Sequence, residues 1–136
     1  AVYGIDDAIE RTKRYIDAGA EICFADGIGT REELEKFAKE LSGSGAYLVA
    51  NMIEGGKTPL IPAKELEQMG FSLVFWACSA VYTISKALYD LFGNLAQDGT
   101  TEKSLDRMIE FSQFNSMIGL DTYKEYERKY KVDRDD

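Results

Sequence analysis

Three short apolar runs set the rhythm of this chain. They begin at Glu21, Ala46 and Phe71, 25 residues apart each time. They read Glu21-Ile-Cys-Phe-Ala-Asp26, Ala46-Tyr-Leu-Val-Ala-Asn51 and Phe71-Ser-Leu-Val-Phe-Trp-Ala77. Each is nearly continuous rather than alternating, the pattern expected of strands covered on both faces. A helical pattern follows each run. Strand, helix, strand at this interval implies parallel α/β architecture, because a parallel crossover needs a dozen or more residues. Only the architecture repeats; the residues do not.

The helices announce themselves by spacing and by their ends. Ile5, Ala8, Ile9, Thr12 and Ile16 lie at helical intervals, with Asp6 and Asp7 in the favourable first turn and Gly19 past the end. Thr30 and Glu33 form a capping box ahead of a buried stripe of Leu34, Phe37, Ala38 and Leu41. Ser42–Gly45 is a loop, and Glu54-Gly-Gly-Lys-Thr-Pro59 a second, glycine-rich one. Pro62 fits the first turn of a short helix to Met69, closed by Gly70. A long helix then carries Ala80, Ile84, Leu88 and Leu91 on one face, up to a turn at Asp98-Gly99. Thr101 is expected to open a helix through Leu105, Met108, Ile109 and Phe114, and Asp121 to cap a last one over Thr122–Tyr130. The charged tail from Lys131 to Asp136 is expected to fray. Residues 1–97 therefore read as βα units and residues 98–136 as a C-terminal helical extension.

Composition excludes several functions. With 16 Lys+Arg against 24 Asp+Glu the net charge is −8, and no basic run offers a surface for nucleic acid phosphates. Histidine is absent, so no His ligand, His base or Ser–His–Asp triad arises from this chain alone. Cys23 and Cys78 both sit in apolar runs and read as reduced thiols in a cytoplasmic setting. Ala1–Asp7 shows no signal-peptide pattern, and the apolar stretch Phe71–Tyr82 is too short to span a bilayer. The 136 residues make one domain and fall short of a complete eight-stranded barrel, which takes about 200–250.

In parallel α/β folds the active face lies at the carboxyl ends of the strands. Asp26, Asn51 and the Cys78-Ser79 pair fall there. A carboxylate accepts hydrogen bonds from metal-bound water, and Mg²⁺ keeps several waters. An Asn amide donates to a carboxylate or enolate oxygen. The same residue types also serve as turn formers and caps at strand ends. Gly55-Gly56 lacks the spacing of a Walker loop. Cys78 reads as a small apolar residue rather than a nucleophile, and Cys23 as core. Phe71, Phe75 and Trp76 read as packing, and Tyr123, Tyr126 and Tyr130 as a packing or subunit-contact face.

The segment Asn51-Met-Ile-Glu-Gly-Gly-Lys-Thr-Pro-Leu60 resembles the Asn-x-x-Glu-x-Gly-x-Thr-Pro-Leu signature of the isocitrate lyase / phosphoenolpyruvate mutase superfamily. The best match is the branch of the 2-methylisocitrate lyases, oxaloacetate hydrolases and petal death protein. Gly4–Arg11, Tyr15–Ala20, Glu65–Phe71, Ser79-Ala80 and Asp98–Thr100 fall in register with it, so the likeness spans nearly the whole chain. Trp76-Ala77 departs from the Tyr-Pro of the methylisocitrate lyases and is similar to the mutase and phosphonopyruvate-cleaving branch; the loop at Asn51 weighs more and favours the lyases.

The resemblance implies a (β/α)8 TIM-type barrel, of which this chain supplies about strands six to eight and the following helices. It implies Mg²⁺ holding a small 2-oxo or 2-hydroxy carboxylic acid, or its enolate, while a C–C bond breaks. Asn51 matches a ligand of the substrate carboxylate. Glu54 and Thr58, with Pro59, match the loop bordering the site, and Ser79 is carried over with them as a substrate-side residue. Asp26 aligns with a Glu that binds metal-coordinated water and is one methylene shorter. No catalytic residue is assigned: the family's metal-binding acidic cluster, its cysteine-bearing gating loop and its arginine motif lie earlier in the chain and are not present here. The expectations are thus a C–C lyase acting through a complete enzyme, a partial barrel inactive by itself, or a P–C bond enzyme of the same superfamily. A binding module that kept Asn51 and lost its chemistry is the remaining, weaker reading. Open strand edges and the family's exchange of C-terminal helices imply a homo-oligomer.

Overall fold

The structure is a computed structural model describing residues 3–131. The chain divides into two compact units, one up to Lys86 and one from Ala87. The division falls within a long helix, upstream of residue 97.

The first unit runs α1 (Gly4–Asp17), β1 (Ile22–Phe24), α2 (Arg31–Glu40), β2 (Tyr47–Asn51), α3 (Ala63–Met69), β3 (Leu73–Phe75) and the start of α4 (Ser79–Asp98). The strands form one parallel sheet in chain order. Cys23 pairs with Leu48 and Phe24 with Val49; Val49 pairs with Leu73 and Asn51 with Phe75. The strands are shorter than the apolar runs that encode them.

Helix ends follow local chemistry. At the end of α1 the Gly19 N–H donates to the Ile16 carbonyl at 2.8 Å and the Ala20 N–H to the Tyr15 carbonyl at 2.9 Å. That double closure is a Schellman motif, and the positive φ of Gly19 (101°) permits it. Gly70 (φ 110°) ends α3 in the left-handed region. Thr30 caps α2, its hydroxyl accepting from the Glu33 N–H at 3.1 Å. The returning half of the expected capping box differs. The Glu33 carboxylate accepts from the Gly29 N–H at 3.0 Å, one residue before the cap.

The core lies between the sheet and helices α1 to α3. Cys23, Leu48 and Ala50 pack with Ile9, Leu34, Phe37, Leu41, Leu66 and Phe71, and Phe37 is fully buried. Both cysteines are free. The opposite sheet face corrects the expectation of strands covered on both sides. Ile22 (64% exposed), Phe24, Tyr47 (61%), Leu73 and Phe75 are all open. Alternate side chains point to opposite faces, and the described helices of this unit cover only one of them. Val49 is buried yet stands outside the main core. It is flanked on that open face by Phe24 and Phe75, whose rings meet edge-on at 5.8 Å.

The second unit holds the remainder of α4, a 3-10 segment Glu102–Arg107, α5 (Phe111–Met117) and α6 (Leu120–Tyr130). The helix expected from Thr101 through Phe114 is in fact two pieces, because Met108 turns extended (ψ 147°) after i→i+3 closure. The 3-10 segment is tied to α4 by Asn94 Nδ2 donating to Ser104 Oγ at 3.1 Å and by Arg107 meeting Asp90 at 3.4 Å. Asp121 does not cap α6. Gly119, at φ 74°, takes that position, and Asp121 lies in the first turn beside Lys124. Among the described residues of this unit only Ser104 is buried. The expected fraying after Lys131 falls outside the described residues. No described helix is long and apolar enough to cross a membrane.

Candidate functional site

The parallel sheet sends its strand ends to one side, and the polar residues gather there. Asn51 is the last residue of β2. The ladder continues one step further, with the Met52 N–H donating to the Phe75 carbonyl at 2.9 Å. Met52 is fully buried, and its sulfur accepts from the Ile61 N–H at 3.4 Å. The loop between them is thus closed at its base by a core residue. At its tip Gly55 takes φ 71°, and the Gly56 N–H bonds the Ile53 carbonyl at 3.0 Å.

Glu54, partly buried, reaches from this loop to the first turn of α4, where the Ser79 hydroxyl donates to its Oε1. That donation holds the Glu54 carboxyl below the usual carboxylate range, followed by its own backbone N–H, against a smaller opposing effect of burial. The second oxygen, Oε2, is buried and accepts from none of the described residues; Asn51 Oδ1 is in the same condition. A buried acceptor without a donor is unfavourable, because it has given up its bonds to water. Two of them three residues apart mark a place that is short of hydrogen-bond donors. Thr58 is partly buried on the same loop and makes no hydrogen bond to Asn51, Glu54 or Ser79.

Asp26 follows Phe24 by two residues, as Asn51 follows Val49, and so sits at the matching height on β1. Among the described residues no hydrogen bond joins it to Asn51, Glu54 or Ser79. Instead it lines a cavity of about 60 Å³ with Gly4, Gly27, Glu33 and Lys57. Sequence reasoning assigned no role to Lys57 or to the Glu33 carboxylate there. The signal was the pair of small residues Gly27 and Gly29 opposite a lysine in a glycine-rich loop. Among the described residues no group of three His, Cys, Asp or Glu side chains stands close enough to hold a metal ion.

Cys78 precedes α4 and is partly buried. Hydrogen bonding to Cys78 raises the Tyr82 phenol above its ordinary range. Burial pushes the Cys23 thiol up, as suits a core residue. Trp76, expected to pack, is 42% exposed.

Comparison with known proteins places this arrangement. Residues 2–96 match the family model described as phosphoenolpyruvate phosphomutase. The chain is 38% identical over 131 residues to the 2,3-dimethylmalate lyase of Eubacterium barkeri, covering 96% of this chain and 44% of that protein. It is 39% identical over 127 residues to the chloroplastic carboxyvinyl-carboxyphosphonate phosphorylmutase of Arabidopsis thaliana, covering 93% of this chain and 37% of that one. A crystal structure of 2,3-dimethylmalate lyase superposes with a TM-score of 0.79 at 28% identity, over 96% of this chain and 43% of its own. The chain spans less than half the length of each of these relatives. With the fold, the Asn51–Leu60 loop and the family match in agreement, this chain belongs to the phosphoenolpyruvate phosphomutase family, within the superfamily it shares with the isocitrate lyases.

Proposed function

We propose that this chain forms the strand-end face of a Mg²⁺-dependent carbon–carbon lyase acting on a small 2-oxo or 2-hydroxy carboxylic acid. The observation that carries the reading is the pair of unmet acceptors, Asn51 Oδ1 and Glu54 Oε2, at the carboxyl end of a parallel sheet, which calls for a donor there such as a substrate hydroxyl or cation-bound water. In this reading Asn51 Nδ2, which makes no bond within the described chain, donates to a substrate carboxylate. Glu54, fixed by Ser79, holds the loop carrying Thr58 against the site. The metal's fit follows from the donor chemistry. With no three-ligand group among the described residues, this chain offers no direct coordination sphere; Asp26 suits hydrogen bonding to metal-bound water. A bound divalent cation supplies charge stabilisation to the enolate formed as the C–C bond breaks. Free thiols at Cys23 and Cys78 suit a reducing, cytoplasmic compartment.

The open sheet face favours a second statement, that the chain acts only when assembled. Ile22, Phe24, Tyr47, Leu73 and Phe75 together leave an apolar surface that further strands would cover, and β1 and β3 each keep an unpaired edge. Helices α4 to α6 bury no apolar residue, which supports a homo-oligomer with exchanged C-terminal helices. A P–C bond enzyme is the alternative chemistry, supported by Trp76-Ala77 and by the near-equal likeness to a phosphorylmutase. The test is to supply an N-terminal half from the dimethylmalate lyase relative, with Mg²⁺, and assay cleavage of 2-methylisocitrate, oxaloacetate and phosphonopyruvate. Cleavage of one of the first two, abolished in Asn51→Ala, is expected. Cleavage of phosphonopyruvate alone would move the assignment to the P–C branch. Turnover by the 136-residue chain alone would overturn the need for assembly.

A further inference from the structure

Met52 stands where the sheet hands the chain over to the loop that carries the site. Its N–H still donates to the Phe75 carbonyl at 2.9 Å, so its backbone belongs to the ladder. Alternation along β2 turns Leu48, Ala50 and Met52 toward the helices and leaves Asn51 on the face of Val49 and Phe75. On the helix side the Met52 side chain is fully buried, and its sulfur accepts from the buried Ile61 N–H. Ile61 is itself a core residue, and Pro62 after it disfavours helical backbone there, so its amide turns inward from an extended segment. Residues 53–60 hang between these two anchors. A Cβ at Gly56 would stand 3.0 Å from the Ile53 carbonyl oxygen, so the tip closes only without a side chain at that position. One further tie, from Ser79 to Glu54, holds the side of the loop.

We infer that Met52 is a positioning residue for Asn51 and Glu54, and that it acts through the lone pairs of its sulfur rather than through its bulk. A leucine fills nearly the same volume, and such swaps are well tolerated in cores. It offers no acceptor, whereas a thioether offers a weak one. With leucine at position 52 the Ile61 N–H stays buried without a partner, which is unfavourable, and it is relieved by moving toward water. That movement carries the returning end of the loop with it. Met52 is peptide-bonded to Asn51, and Glu54 lies two residues further on, so both feel the displaced loop. The inference takes from the proposed function only that Asn51 and Glu54 stand at the site, and it is tested without turnover.

The experiment compares the 136-residue chain with Met52→Leu by NMR. Three signals are followed: hydrogen exchange of the Ile61 amide, the Asn51 side-chain amide, and the Glu54 carboxyl ¹³C through a pH titration. In Met52→Leu the Ile61 amide should exchange about threefold faster or more. The Asn51 side-chain amide should shift, and Glu54 should titrate higher as the Ser79 donation loosens. Selenomethionine in place of the four methionines keeps an acceptor and should behave as wild type on all three signals. Met69→Leu removes a sulfur from the same core and should also leave them unchanged. If Met52→Leu does not fold, norleucine incorporated in place of methionine gives the same shape without the sulfur, and the same three changes are expected. Wild-type exchange at Ile61 in the sulfur-free chain, or faster exchange with Asn51 and Glu54 unmoved, would overturn the inference. Neither outcome bears on whether the assembled enzyme cleaves a carboxylic acid.

Discussion

At the scale of single residues, the site is organised by one hydroxyl. Ser79 donates to Glu54 and so joins the loop after β2 to the start of α4. The bond favours the ionised carboxylate, so the folded pKa lies below the unfolded one. A depressed carboxyl contributes stability that is present above the unfolded pKa and is lost as pH falls through the folded pKa. Ser79→Ala should therefore destabilise the chain at neutral pH, and the gap to wild type should shrink on acidification. Urea unfolding at two pH values measures the gap, and carboxyl ¹³C NMR should show Glu54 titrating higher in the variant. An unchanged Glu54 titration would remove Ser79 as the cause. Asn51 and Ser79 were legible from their place at strand ends, and Glu54 from the loop motif that Asn51 opens. Their partnerships were not, because a side-chain bond between positions 54 and 79 depends on how two loops 25 residues apart are brought together by the sheet.

At the scale of elements, caps and turns behave as local chemistry dictates. Thr30 caps α2 through a single hydroxyl. Thr30→Ala should cost about 1 kcal/mol, seen as a lower denaturation midpoint with an unchanged slope. Gly70→Ala forces a Cβ onto a residue at φ 110° and should cost about 1–2 kcal/mol. If either variant matches wild type, the end in question is held by tertiary packing rather than by its cap. The stripe Leu34, Phe37, Ala38 and Leu41 was readable from spacing because one face of an amphipathic helix repeats over a few residues. The segment after Thr101 was misread for the same reason in reverse. Its apolar spacing suits a helix, but ties from α4 to Ser104 and Arg107 hold a tighter 3-10 segment that ends in extended backbone at Met108.

At the scale of the whole molecule, the first unit has a core on one side of its sheet and an uncovered apolar face on the other. Light scattering of the purified chain should report self-association, and a hydrophobic dye should bind it and be displaced by a complementing N-terminal half. A stable monomer that binds no dye would contradict the exposed-face argument. The sequence by itself determined the strand–helix rhythm, the Thr30 cap of α2, the glycine closures of α1 and α3 and the strand-end residues, because each rests on interactions or patterns spanning only a few residues, and it determined the family through motifs in register along the chain. It could not say which strand face lies bare, since runs as continuous as those at Glu21 and Ala46 carry no alternation to tell one face from the other. Tertiary structure alone decided that Cys23 and Leu48 turn toward the helices while Ile22 and Tyr47 stay open. It also decided that Lys57 shares a cavity with Asp26 rather than joining Asn51. Parallel register brings together loops some thirty residues apart in sequence, and no local preference encodes that approach.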